Sequence, residues 1–554
     1  MIRHFIALVC LVCAGLSGCA SGPAPKPVLP GSFEAGKGLV LIRTMTNAAS
    51  LDRGNTVYFN QWLSVRLTDA QGKLVEVLPW GQGGQSNTQI FAAQLPAGQY
   101  KLHSLFTRFI GGVTVPLEGL QESFEVQASR ATGLGTVIVQ PTGNRETTVL
   151  RDFNNASLAR IYREAYGPLA RMPGSGELLA SSGAGSSDAG DVKKGGVVVV
   201  SNSVGAGLIG TLFMAGMQNL VDRASATEVV EAWRKEKDPN KRIEMARDST
   251  YRFNSPKMLP NGSLIAGSGL GQLLLRSPDG KWMRMDTGDM RDLTAVTPLD
   301  NDHILVGGEE GFVLETRDGG KSWQALPPLP VISVVTNLQR YRDSTLALVV
   351  EGDDAVLYEL KPEASWTELK RETKIFAWPG HPPSANAGAL FLGDRYIMLT
   401  GNSALNILDM GTRQWTTRKT PFNAAQWGPS YSLRATSKGV VYALGARTSY
   451  LTSDLGATWQ DRSNACLRLL DAWIAGPDTA FNFCAAGSFV VSTTIERRST
   501  PQNSWSTAST TPVLTGGWFV SDDAKLIIIA GTEGVLYSST DGGENWKLER
   551  TPLN

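Results

Sequence analysis

A tryptophan returns at nearly even intervals through the C-terminal half of this chain. Trp282, Trp323, Trp366, Trp415, Trp459, Trp505 and Trp546 stand 41, 43, 49, 44, 46 and 41 residues apart. A period of about 40–50 residues is the length of one four-stranded propeller blade. A chain built this way has few alternatives, because one blade cannot bury its apolar faces unless a neighbour stacks on each. The expected architecture of residues 249–554 is therefore a seven-bladed β-propeller, one blade for each indole.

The residues ahead of these tryptophans repeat as well. Thr316-x-Asp318-x-Gly320-x-x-Trp323, Thr452-x-Asp454-x-Gly456-x-x-Trp459 and Ser539-x-Asp541-x-Gly543-x-x-Trp546 share one spacing. Ser277-Pro278-Asp279-Gly280-Lys281-Trp282 is a shortened copy, and Asp409-Met410-Gly411 before Trp415 is a lengthened one. The copies before Trp366 and Trp505 have lost all but the tryptophan. This is turn chemistry. A hydroxyl and a carboxylate two residues apart bond to backbone groups of a tight hairpin. The glycine supplies a positive φ that a side chain resists. The indole, which buries roughly 150–250 Å², opens the last strand and fills the groove between blades. At about 25 cal/mol/Å² that is at most roughly 4–6 kcal/mol each.

The pattern resembles the Asp-box, or BNR repeat, over about residues 250–550. Sialidases, sortilin-type receptors, xyloglucanases and the photosystem II assembly-factor propellers carry it. Like those propellers, this chain has an apolar strand after a glycine-rich turn, at Gly307-Gly308-Glu309-Glu310-Gly311-Phe312-Val313-Leu314 and Gly531-Thr532-Glu533-Gly534-Val535-Leu536. The resemblance implies Asp-boxes in the turns between third and fourth strands. The turns between second and third strands then project from the opposite face, where propellers bind. Glu309, Glu310, Asp353, Asp354, Arg447 and Glu533 fall in those turns and predict a mixed, somewhat acidic binding face. The sialidase relatives offer a second reading, an exo-glycosidase. Tyr251-Arg252-Phe253-Asn254-Ser255-Pro256 is similar to the segment whose arginine binds their substrate carboxylate. Two residues are inserted before its proline, the loop for the acid/base aspartate has no room before Arg276, and the remaining arginines and nucleophile find no match. No catalytic residue is assigned. The expected function is non-catalytic binding or assembly, with a glycosidase or glycan-binding protein as the alternative.

The N-terminus predicts an address. Arg3 and His4 precede an apolar run, Phe5 to Leu16, too short to span a bilayer. Leu16-Ser17-Gly18-Cys19 then resembles the lipobox of bacterial lipoproteins. That resemblance implies a leader over 1–18, an acylated Cys19 that attaches the chain to membrane lipid, and a tether over 19–36 rich in proline and glycine. With Ala20 and Ser21 next and no aspartate, the analogy favours the outer membrane. The whole chain holds 52 basic and 51 acidic residues, and the leader takes only Arg3, leaving 51 of each. Such balance argues against a polyanion or nucleic-acid binder, which needs a basic footprint. Histidines 103, 303 and 381 are far apart, so no metal site and no cofactor is expected.

Between tether and propeller, residues 37–145 read as a β-sandwich. Strand composition marks 38–42, 62–66 and 136–140, and Leu95-Pro96-Ala97-Gly98-Gln99-Tyr100 reads as a turn into a strand, as in small prealbumin-like sandwiches. Residues 146–248 read as a helical connector: a helix over Ala156–Arg171, a Gly/Ser linker over 174–190 and the uncharged stretch Val197–Val221. That stretch is read three ways, as a strand and Gly-rich helix packed on a domain, as a partner-docking helix, or as a membrane span. Cys466 and Cys484 lie on the two arms of one expected hairpin, either as a disulfide or as two buried thiols. The fold class is mainly β, and the expected partner is a protein or a cell-wall glycan.

Overall fold

The computed structural model describes residues 32–46, 63–79, 88–107, 113–117, 123–143, 146–152, 155–171, 178–180, 197–201, 203–204, 235–236, 241, 253–352, 354–373, 387–400, 404–421, 433–435, 441–444, 449–461, 469–474, 480–485, 493–498, 506–511, 515–531 and 536–550. The chain divides into two compact units: 1–46, 54–81 and 89–223 form the first, and 47–53, 82–88 and 224–554 the second.

The first unit is built on strands β1 (Lys37–Thr46), β2 (Leu63–Asp69), β3 (Leu74–Pro79), β4 (Thr88–Pro96), β5 (Gly98–Thr107), β6 (Val113–Pro116), β7 (Phe124–Val126), β8 (Ala131–Gly143) and β9 (Glu146–Asp152). Helices α1 (Ala156–Ala165) and α2 (Gly167–Ala170) follow, then β10 (Leu179–Ala180), β11 (Val197–Ser201) and β12 (Ser203–Val204). In place of two separate sheets, the twelve strands make one hydrogen-bonded sheet: ten follow the path β11-β9-β8-β1-β4-β3-β2-β5-β6-β12, while β10 pairs with β8 and β7 with β5. The reason lies in β3. Its first half pairs with β2 (Val65 opposite Val77) and its last residues with β4 (Leu78 opposite Ala92). One strand therefore turns the corner that a sandwich leaves open. Both halves of the curled sheet share one core, with Val40, Val65, Phe91, Leu105, Val137 and Val149 all fully buried. Consecutive β11 and β12 pair with the two edge strands, β9 and β6, so one segment closes the sheet. The sheet thus extends past residue 145 into the segment read as connector. In the 197–221 stretch, 197–201 and 203–204 are strand, and 205–221 lies outside the described residues. Among the described residues no helix is long and apolar enough to cross a membrane.

The second unit holds, among its described residues, seven four-stranded antiparallel sheets, each made of consecutive strands. They are blades I (254–286), II (293–325), III (333–372), IV (387–419), V (433–461), VI (469–511) and VII (515–550). The second strands of blades II and III carry unbroken apolar runs, Ile304-Leu-Val306 and Leu346-Ala-Leu-Val-Val350. A strand covered on one face would alternate, whereas these are covered on both. Leu346, Leu348 and Val350 face blade IV, while Ala347 and Val349 between them face blade II. The ring closes where blade VII meets blade I: Phe253, Leu264, Leu274, Ile528 and Leu536 share one cluster. This is a β-propeller, and among the described residues no strand is exchanged between its ends.

Candidate functional site

Each described boxed turn joins the third strand to the fourth, and the hydroxyl and carboxylate work as a unit. In blade II the Thr316 hydroxyl donates to Asp318 Oδ1 (2.8 Å) and accepts from the Gly320 N–H (2.9 Å). Asp318 also accepts from the N–H and the hydroxyl of Ser322 (2.9 and 2.6 Å). Blade V repeats this with Thr452, Asp454, Gly456 and Thr458, and blade VII with Ser539, Asp541, Gly543 and Asn545. Gly320, Gly456 and Gly543 have φ of 87, 81 and 93°, the left-handed region. The donors hold these acids ionised. Ser322's bonds, with Thr316's, lower the Asp318 carboxyl to about 2, and Thr458 and Asn545 lower Asp454 and Asp541 further. In the shortened copy, Ser277 and Lys281 lower Asp279 to about 2. In the lengthened one Asp409 caps the N–H groups of Gly411 and Thr412 (3.0 and 2.8 Å).

Each described tryptophan of the series packs into the interface between its own blade and the preceding one. Trp323 joins the blade I–II cluster, Trp366 that of II–III, Trp415 III–IV, Trp459 IV–V, Trp546 VI–VII and Trp282 VII–I. Trp505 lies outside the described residues. All six indoles are half-buried, so each is a wedge at the ring's outer rim rather than part of its centre.

On the opposite face, the sequence-predicted residues do not share one fate. Glu309 and Glu310 form a short 3₁₀ turn between the second and third strands of blade II and are 2% and 1% exposed. They are therefore not an open acidic surface. Glu310 (φ 58°) folds back so that Oε2 lies 3.5 Å from Arg291 Nη1, and Arg291 also bonds Asp289 (2.5 Å) and covers the Phe312 ring at 4.3 Å. Burial pulls the Arg291 pKa down, but the Asp289 bond and the charges of Asp289, Glu310 and Glu309 outweigh it and raise it. Beside them Asp292 accepts from the Leu270 N–H (3.1 Å). Asp354 pairs with Arg371 (3.2 Å), which also holds Glu351 and Glu368. Asp353, Arg447 and Glu533 lie outside the described residues, as do Cys19 and Arg252.

The first strands of the blades turn polar side chains on one another. Asn254 donates to Leu293 O (2.8 Å), Thr294 to Val335 O (2.5 Å), Thr297 to Leu338 O (2.5 Å) and Asn337 to Ala389 O (2.9 Å). Each satisfies a carbonyl that an edge strand would leave bare, a blade-to-blade tie that sequence spacing did not expose. Arg276, flanking the first box, is likewise committed: it bonds Glu549 of blade VII at 2.8 and 2.6 Å. Glu549 is the extra residue of a β-bulge, since Tyr537 pairs with Leu548 and Leu536 with Arg550. Nothing in the sequence marks that bulge. Ser521 and Asp523 bond each other at 2.6 Å in a first-to-second-strand turn, a box-like pair whose signal in the sequence is the Ser-x-Asp spacing.

On the box side of blade II a shallow groove of about 400 Å³ is lined by Asp300, Asn301, Asp302, His303 and Arg317. Two of its side chains are already engaged, His303 with Glu315 (2.5 Å) and Arg317 with Glu315 (2.9 Å). Among the described residues, no group of three or more His, Cys, Asp or Glu side chains could hold a metal ion. Cys484 takes part in a disulfide; Cys466, on the other arm of the hairpin, lies outside the described residues.

Residues 280–553 match the family model described as photosynthesis system II assembly factor YCF48. The chain thus carries a BNR-type β-propeller that resembles this assembly factor. No curated protein matches the chain. Among solved structures, it is similar to YCF48 bound to D1 peptide, at 14% identity over 53% of this chain and 94% of that one, TM-score 0.41. YCF48 from Cyanidioschyzon merolae matches at 16% identity over 46% and 84%, TM-score 0.33. A chain of a mitotic checkpoint complex matches at 10% identity over 53% and 88%, TM-score 0.40. Likenesses this remote carry no weight for function.

Proposed function

We propose that this chain is an envelope protein, anchored to the outer membrane by lipid on Cys19, whose propeller is a non-catalytic scaffold for binding or assembling a protein partner. The reading is supported chiefly by the match of 280–553 to an assembly-factor family. It is supported too by where the boxed carboxylates are spent, because Asp318, Asp454 and Asp541 each accept bonds from their own turn. An acid held ionised by its own hairpin braces a corner and is a poor proton donor. With Glu309 and Glu310 buried, the face between second and third strands is left to Asp353, Arg447 and Glu533 as its proposed contacts.

Crosslinking pull-down from membranes tests the scaffold. Wild type should enrich a protein that the triple variant Asp353→Lys, Arg447→Glu, Glu533→Lys does not. Equal recovery by both would reject this face, and turnover of a fluorogenic sialoside by the purified full chain would reject the non-catalytic reading. Cys19→Ser should move the protein to the soluble fraction, and retention in membranes would reject the lipid anchor.

A further inference from the structure

We infer that the propeller ring opens at one place, the seam between blades VII and I, and that the Glu549–Arg276 pair is its latch. Topology singles out this interface. Every other pair of adjacent blades is joined by the chain, whose linker limits how far they can part. Among the described residues blades I and VII share no strand and no connecting segment, because each blade is made of consecutive strands. Opening the seam strains no linker, and it uncovers the two flanking blades, whose ladders then lose the packing that protects them.

The seam's own chemistry fits a latch. The bulge in the last strand of blade VII puts Glu549 out of register with its ladder, and bulges are a means of re-aiming a side chain. Glu549 meets Arg276 through two bonds and accepts a third from the Trp282 indole (2.7 Å). Both charged groups are nearly buried, at 8% and 12% exposure. Such a pair is strongly directional when made, yet each partner regains water when it is broken.

A second group lowers the work of opening. Along the third strand of blade I, Leu273 faces blade II whereas Leu274 and Arg276 face the seam. Side chains alternate along a strand, so Gln272 faces the seam as well. It is 1% exposed, and neither its carboxamide oxygen nor its nitrogen has a hydrogen-bond partner. A buried amide without partners is a stored penalty that solvent would relieve. The seam thus combines a polar latch that holds it with an orphaned amide that pushes against it.

Hydrogen exchange on the full chain, read by mass spectrometry, tests this at four third strands. Those of blades I (272–276) and VII (536–539) should exchange faster than those of III (354–360) and IV (404–409). Gln272→Leu, which removes the orphan and keeps the volume, should slow the blade I and VII strands about tenfold and leave III and IV unchanged. Glu549→Gln should speed the same two strands roughly a hundredfold. Equal protection of all four strands in the wild type, or a Gln272→Leu effect that is absent or spread over all four, would overturn the inference. The wild-type and Gln272→Leu comparisons decide it even if Glu549→Gln does not fold.

Discussion

Replacing the repeat tryptophans one at a time by phenylalanine separates what the repeat shares from what each copy adds. The indoles occupy equivalent wedges, but their N–H groups end differently. Nε1 of Trp323 and of Trp459 is buried without a partner. Nε1 of Trp366 donates to Pro327 O (2.6 Å), that of Trp546 to Gly543 O (3.1 Å) and that of Trp282 to the Glu549 carboxylate (2.7 Å). All five substitutions shrink a half-buried ring, a shared loss of about 1 kcal/mol. At 323 and 459 the change also removes an unsatisfied donor, which returns about 1 kcal/mol, so the net effect is near zero. At 366 and 546 it removes a neutral hydrogen bond as well, adding about 0.5–1.5 kcal/mol. At 282 the acceptor is charged and part of the seam, which adds about 1.5–3 kcal/mol. The expected order of cost is therefore 323 and 459, then 366 and 546, then 282, over a range of about 2.5–4 kcal/mol. Urea unfolding followed by far-ultraviolet circular dichroism measures it without depending on the fluorophore being changed. Five variants within about 0.5 kcal/mol of one another, or Trp323→Phe as the costliest, would refute this account of the repeat.

The boxed acids give an acid limb. Asp279 and Asp318 are lowered to about 2, below an ordinary aspartate near 3.9, so their stabilisation is complete above about pH 4 and is lost as pH falls through about 2. Asp279→Asn with Asp318→Asn should flatten the stability–pH curve in that window, and an unaltered acid limb would contradict the turn bonding. At Gly311 (φ 63°) a Cβ would lie 2.5 Å from Pro330 O and 2.7 Å from Leu329 O, so Gly311→Ala should lose well over 1 kcal/mol. Gly288→Ala, at a comparable φ of 76° with nothing within 4 Å, should lose only about 1 kcal/mol in the same urea titration.

The parts of this molecule that were legible are those where chemistry repeats. Thr316, Asp318 and Gly320 announce a turn because their bonds close within five residues, and a local pattern needs no knowledge of what surrounds it. The cysteine-bearing hairpin was readable for the same reason, with Leu469–Ile474 and Ala480–Ala485 pairing across a short turn. The first unit was harder. Residues 37–145 have the strand composition of a sandwich, but whether strands form two sheets or one curled path depends on β3 pairing at both ends. That is a matter of register between distant segments, which composition does not carry. Closure by 197–204 is a longer-range case still, because an uncharged run is equally at home in a helix or an edge strand.

The candidate face was misjudged at Glu309 and Glu310 by a related route. A carboxylate in a glycine-rich turn is solvated by default, and only a neighbouring element can bury it. Here Glu310 meets the linker from blade I to blade II, which carries Asp289, Arg291 and Asp292, and the Glu309 carboxylate accepts from the N–H and hydroxyl of Thr88. Arg291 and Glu310 are 19 residues apart, in segments that share no motif. The same holds at the seam, where Arg276 and Glu549 are separated by 273 residues and meet only because the ring closes. In a propeller, then, the repeat specifies the blade, while charge partners across blades follow from the number of blades and their closure. A binding face assembled from turns of several blades inherits that dependence, so its partner has to be sought by capture rather than read from the turns one at a time.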